Sequence, residues 1–252
     1  MCLISFAWQP QQQQLIVAAN RDEFFKRPAA PMAEWPEHPG LFAGQDLEQG
    51  GTWLGVTQNR RFAALTNIRA PGEGPQNPRS RGHLVLDFLT SDDSAESYMM
   101  ALADKAAEYG LFNLLCFDGQ QLWYGHNHPH FQAEILNGGH YGLSNAHLDT
   151  PWPKTQLAKQ QLQQWLSNHD ATSEIPGSLL SRREPFDDAQ LPTTGVPFIW
   201  EKMLSSQFIH TPSYGTRCSS AISISERQIL LEEISWDEQG KNCHEFRHQI
   251  RI

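Results

Sequence analysis

The chain opens with Cys2-Leu3-Ile4-Ser5-Phe6-Ala7-Trp8 and, after Pro10 and a run of glutamines, continues with Gln14-Leu15-Ile16-Val17-Ala18-Ala19-Asn20-Arg21-Asp22-Glu23. Residues 2–8 are apolar and short enough to be a buried strand, and residues 14–19 are a second. The proline and glutamines between them make the turn of a hairpin. In an antiparallel pair the start of one strand lies beside the end of the other. This places Cys2 next to Asn20-Arg21-Asp22, and a functional centre is expected there.

Working outward, residues 28–52 are rich in proline and glycine and are predicted as a surface loop. Trp53–Thr57 and Arg61–Asn67 form a second hairpin, and residues 71–78 another loop. Leu84, Val85, Phe88 and Leu89 form one helical stripe. Ala95, Tyr98, Met99, Leu102 and Ala106 form another, beginning after Ser91-Asp92-Asp93 and stopping at Gly110. Tyr98 and Met99 are assigned to the core and not to a ligand. Strands follow at 112–117, 121–126, 132–136 and 140–145, with Asp118-Gly119 as a hairpin turn. A helix over 154–168, irregular chain with short helical pieces over 170–195, and a short helix over 198–206 come next. Strands at 216–223, 228–236 and 244–250 close the chain. This order predicts an α+β fold, antiparallel sheets with helices segregated outside them, in one domain over residues 1–252.

Composition narrows the function. A net charge of -9 with no basic block argues against a nucleic-acid partner. No apolar run approaches the roughly 20 residues of a membrane span, and no signal-peptide pattern opens the chain. Cys2, Cys116, Cys218 and Cys243 are widely spaced and without C-x-x-C, which fits reduced thiols and a cytoplasmic protein. His126, His128 and His130 alternate, but Pro129 interrupts them and points to a turn, not a metal site.

Several residue types can carry chemistry. If Met1 is removed, Cys2 has a thiol and a free α-amine that can act as its base; a retained Met1 blocks this, and a buried small side chain is the plainer reading. Asp22 can orient the residue 2 amine or amide, and Arg21 can hold an anion with its planar fork. Asn67 and Asn145 each end an apolar strand, where an amide can donate to an oxyanion or cap a turn. Arg217, entering a β stretch, calls for a partner such as Asp22 or an anionic ligand. Arg69, Arg79 and Arg81 gather positive charge in one loop-to-helix region. Trp53, in Gly50-Gly51-Thr52-Trp53-Leu54-Gly55, can stack on a flat ligand or serve the core.

Asn20-Arg21-Asp22-Glu23, Gly50 to Gly55, Ala64-Leu65-Thr66-Asn67-Ile68-Arg69, Arg79-Ser80-Arg81-Gly82, Leu143-Ser144-Asn145, Leu148 to Lys154 and Tyr214-Gly215-Thr216-Arg217 occur in order. Together they resemble the NRDE family, the transport and Golgi organisation protein 2 family, over most of the chain. The resemblance implies a four-layer αββα sandwich similar to N-terminal-nucleophile hydrolases, with two antiparallel sheets flanked by helices. It also implies haem binding for intracellular haem trafficking, with haem as reversibly bound cargo passed between donor and acceptor proteins, and, as a further alternative, binding of acyl-coenzyme A. The ligand-contacting residues would be Asn20, Arg21, Asp22, Glu23, Trp53, Arg69 and Arg81.

The fold implied is also similar to the penicillin V acylase and bile-salt hydrolase group. There Cys2, Asp22, Asn67, Asn145 and Arg217 fall in the order of the catalytic residues. The acylase pattern Arg-Asn-x-Asp is replaced by Ala19-Asn20-Arg21-Asp22, so the first arginine is displaced. The second expectation is therefore an N-terminal-cysteine amidohydrolase, with Asn67 and Asn145 as the oxyanion hole.

Overall fold

Strand alternation sends neighbouring side chains of the first hairpin into different cores. The computed structural model describes residues 2–169 and 175–252; Met1 and residues 170–174, part of the expected irregular stretch, lie outside the described residues. In β1 (Cys2–Gln9), Ile4, Phe6 and Trp8 enter an apolar core between two sheets, whereas Leu3 and Ala7 face the opposite way. In β2 (Gln14–Phe24), Leu15, Val17 and Ala19 join the same inner core, and Ile16 and Ala18 the outer one.

β2 does not end at Ala19. Asn20 to Glu23, beyond the expected strand end at Ala19, continue the strand, because the backbone is paired on both sides. Cys2 lies opposite Arg21 on β1, and β11 (Tyr214–Ile224) pairs from Ile224 down to Tyr214. A central strand keeps its ladder whatever its side chains.

The six-stranded sheet has the order β10-β1-β2-β11-β12-β13, with β10 at Gly139–Leu143, β12 at Gln228–Trp236 and β13 at Asn242–Arg251. The seven-stranded sheet runs β3 to β9 in chain order, each strand antiparallel to the next. Its members are β3 (Ala29–Glu34), β4 (Leu41–Asp46), β5 (Leu54–Thr57), β6 (Phe62–Asn67), β7 (Phe112–Phe117), β8 (Leu122–His126) and β9 (Gln132–Ile135). β3 and β4 replace the surface loop expected over 28–52. Pro31 is tolerated there because β3 is an edge strand, where a missing N–H breaks no ladder bond on the open side.

Helices α1 (Gly82–Thr90) and α2 (Ala95–Leu102) cover the outer face of the seven-stranded sheet, with Tyr98 and Met99 buried in that core. Ser94, and not the preceding Ser91-Asp92-Asp93, caps α2 by accepting from Ser97 N. Helix α3 (Pro153–Asn168) covers the other sheet through Ala158, Leu162 and Trp165. Helix α4 (Phe198–Met203) is shorter than expected. The layers are αββα, two antiparallel sheets between helices. Among the described residues no helix is long and apolar enough to cross a membrane.

Candidate functional site

At the Cys2 end of the inter-sheet core lies a cleft of about 300 Å³, bordered by Cys2, Arg21, Glu23, Trp53, Asn67 and Arg81 among others. The alternation that built the core decides which of the Asn20–Glu23 residues reach it. Arg21 and Glu23 share the face of Ala19 and border the cleft. Asn20 and the Asp22 carboxylate lie on the helix side. Asn20 Nδ2 donates to Leu180 O (2.8 Å) and Gln207 O (2.9 Å), and its Oδ1 accepts from Ser219 Oγ. Asn20 is thereby a tie between layers, not the ligand contact that was expected.

Arg21 is 6% exposed, with its guanidinium 4.0 Å from the centre of the Trp53 ring. Arg81 reaches the cleft from the start of α1 and donates to Leu111 O. Among the described residues neither has a carboxylate within ion-pair distance. Arg27 and Arg79 also border the cleft, but Asp46 and Glu108 neutralise them. Arg21 and Arg81 are therefore the cations available to an incoming anion. Burial lowers the pKa of Arg81 from its ordinary value, so its charge is held at a desolvation cost that an anion would offset.

Cys2 lines the inner end. Burial pushes its thiol above the ordinary value, against the pull of Arg21 and of the Asp22 backbone N–H. The Asp22 carboxyl is raised by burial and drawn back down by Lys154 and by Thr216 Oγ1, which donates to Asp22 Oδ1 at 2.7 Å. Asp22 acts on Cys2 in two opposed ways: the charge of its carboxylate raises the thiol pKa and its backbone N–H lowers it, although the carboxylate itself is bound by Thr216 on the other face.

One of the two expected oxyanion donors and one expected ion pair are placed differently. Asn145 Nδ2 donates to Asn67 O at 2.9 Å, and Arg69 N donates to Asn145 O, so Asn145 joins the ends of β6 and β10. Only Asn67 borders the cleft. Arg217 does not meet Asp22. It is the extra residue of a bulge in β11, between Thr216 opposite Asp22 and Cys218 opposite Arg21. Its Nη1 donates to the carbonyls of Phe24, Phe25 and Arg27, clamping the chain that leaves β2. Arg69, expected to meet ligand, forms a buried 2.7 Å pair with Glu201 and borders an adjoining hollow of about 260 Å³ that shares Asn67 and Arg81 with the cleft.

Lys154 was not singled out by the sequence. It is 2% exposed, donates to Leu204 O, and has its pKa lowered to about 8, chiefly by burial and against the pull of Asp22. Its signal was present: a lysine in the first turn of α3 opposes the helix dipole and needs another reason to be there. Among the described residues no group of three metal-ligating side chains is arranged to hold a metal ion. His126 stacks on His147 at 4.3 Å, and His128 pairs with Glu73. A further hollow of about 230 Å³ over β11 to β13 shares no lining residue with the Cys2 cleft.

The family model described as Transport and Golgi organisation 2 matches residues 1–235. This chain belongs to the Transport and Golgi organisation 2 family. A Transport and Golgi organization protein 2 homolog of Bos taurus is 34% identical over 282 residues, covering 99% of this chain and 100% of that protein. That of Homo sapiens is 33% identical, covering 94% and 96%, and the Drosophila melanogaster protein 28%, covering 92% of each. Among solved structures, a Caenorhabditis elegans N-acylethanolamine-hydrolyzing acid amidase ortholog is similar over 65% of this chain and 79% of its own, with TM-score 0.46 and 11% identity. A mutant conjugated bile acid hydrolase of Clostridium perfringens is similar over 98% and 96%, with TM-score 0.44 and 11% identity.

In this Transport and Golgi organisation 2 chain, a glycine lets the Trp53 platform lie flat. A Cβ on Gly44 would come within 2.3 Å of the Trp53 ring. Gly44→Ala is expected to displace Trp53 from beneath Arg21 and to destabilise the fold by about 1–3 kcal/mol, as overpacking does. Denaturant melts and tryptophan emission read both effects; an unchanged spectrum and midpoint would show that the ring has room.

Proposed function

We infer that this protein binds haem reversibly in the Cys2 cleft and passes it on to acceptor proteins. The observation that carries the reading is the pair Arg21 and Arg81. Two cleft-bordering guanidinium groups with no carboxylate at ion-pair distance among the described residues suit two propionates, and Trp53, beneath Arg21, fixes the plane of one of them. A cavity of about 300 Å³ is at the small end for ligand pockets, so it would cover part of the macrocycle and leave the rest accessible for transfer. Among its lining residues Cys2 is the one with a side chain suited to iron.

A hemin titration followed at the Soret band tests this, with transfer to an apo-haem acceptor afterwards. Saturation near one haem per chain followed by transfer supports it; linear, unsaturable absorbance removes it. The thiol adds a pH dependence. Because the Cys2 pKa is raised, the thiol holds its proton at neutral pH, and iron must displace it. Affinity is expected to climb with pH, up to tenfold per unit while the thiol is protonated, and Cys2→Ala is expected to flatten the profile. A profile identical in both proteins would exclude Cys2 as the ligand.

Cys2 and Asn67 both border the cleft, which favours a second reading: an amidohydrolase with Cys2 as nucleophile. Wild type against Cys2→Ala on amide and thioester substrates decides it. The same arginines suit the phosphates of acyl-coenzyme A, and competition of acyl-coenzyme A with hemin would expose that third possibility.

A further inference from the structure

The two sheets have four edges, and three of them are closed to further pairing. β3 carries Pro31 and a register shift between Ala30 and Ala33. β9 has only four residues. β10 is blocked by Asp149, whose N donates to Gly142 O and whose Oδ1 accepts from Gly142 N, each at 2.8 Å. Proline, shortness and capping are the usual protections of an edge strand. β13 lacks all three; its one register shift is confined to the Asn242 end, and its outer face is protected only by charge, which is what selects a partner. The strand is ten residues long, lacks proline, pairs continuously with β12 from Arg251 back to His244, and is exposed along nearly its whole length. Among the described residues no strand pairs with its other side.

We propose that β13 pairs antiparallel with β13 of a second copy of this chain, joining two six-stranded sheets into one across a two-fold axis. Charge selects the partner and the register. Phe246 and Ile250 face the inter-sheet core, so Cys243, Glu245, Arg247, Gln249 and Arg251 share the other face. With the axis at Phe246, Glu245 lies opposite Arg247 of the second copy, and the same pair recurs on the other side of the axis. Within one chain Arg247 Nη2 is already 3.5 Å from Glu232 Oε1 and 4.0 Å from Glu245 Oε2. The second copy's Glu245 would extend this to a cross-strand row of alternating charge, the arrangement that stabilises sheet pairing. In this register Cys243 lies opposite Gln249 of the second copy. Cys243 is exposed, whereas Cys2, Cys116 and Cys218 are buried.

The test is a cross-link with a built-in register check. Gln249→Cys, treated with diamide, is expected to form a disulfide dimer through Cys243; the two thiols give up two protons and two electrons, which reduce the diazene to the hydrazine. Adding Cys243→Ser should abolish it. Light scattering of the wild type should give the mass of two 28.6 kDa chains. Glu245→Arg should give single chains, and Glu245→Arg with Arg247→Glu should restore the pair. Single chains at every wild-type concentration, no disulfide in Gln249→Cys, species larger than two, or a dimer indifferent to Glu245→Arg would each overturn the proposal. Circular dichroism of each variant checks that β13 is folded, and none of these substitutions touches the Cys2 cleft.

Discussion

Arg21→Leu is expected to lower hemin affinity by roughly 10- to 150-fold, the equivalent of about 1.5–3 kcal/mol for hydrogen bonds to a charged group. The size follows from the position of Arg21. It is nearly fully buried, so its charge is poorly screened by water, and Trp53 fixes its plane. Among the described residues no carboxylate lies within ion-pair distance of it, although the buried Glu233 feels its charge. Arg21→Lys keeps the charge but loses the planar fork, and should fall between wild type and leucine. Arg79→Leu is the control: its guanidinium is exposed and already paired with Glu108, so affinity should stay within about twofold, as for a screened surface charge. Equal losses in Arg21→Leu and Arg79→Leu would mean that hemin adheres through general charge and not in the cleft.

Glu201→Leu is expected to destabilise the protein by about 3–5 kcal/mol, the usual result of leaving one buried charge without its partner. Glu201 Oε2 accepts from Arg69 Nη1 at 2.7 Å, and Oε1 accepts from Thr194 N and Thr194 Oγ1. Both charged side chains are about 5% exposed or less. Removing the carboxylate leaves Arg69 charged beside Lys154, with burial already working against it. In a domain this long the loss corresponds to a fall in Tm of roughly 6–20 °C. Arg69→Met combined with Glu201→Leu should recover most of it, since an apolar pair often replaces a buried ion pair at little cost. Denaturant titration checks both. A loss below about 1 kcal/mol in Glu201→Leu would mean that water reaches Arg69 freely.

Much of the fold was legible because it rests on local pattern. The apolar runs at 2–8 and 14–19 and the turn at Asp118-Gly119 match the structure, and the stripe from Ala95 to Ala106 matches a helix that ends at Leu102, with Ala106 in a separate 3-10 turn. β3 and β4 were missed because proline and glycine read as loop, and only an edge position and a close ring contact explain them as strand. The adjacency of Cys2 and Arg21 was also legible, since hairpin pairing depends on the turn between two strands.

By itself the sequence determined that strands and helices segregate and that Cys2 meets Asn20-Arg21-Asp22-Glu23 at one sheet end. Which of these residues face the cleft was decided by the tertiary structure. Pairing of β2 on both sides carries the strand through the polar run, and alternation then turns Arg21 and Glu23 inward and Asn20 and Asp22 toward the helices. Partners distant in the chain decided the rest: Asn145 is held by Asn67, Arg69 by Glu201, and Arg217 by three carbonyls at a bulge. A side chain's type tells what it can bind; whether it is free to bind depends on the groups that folding has already placed against it.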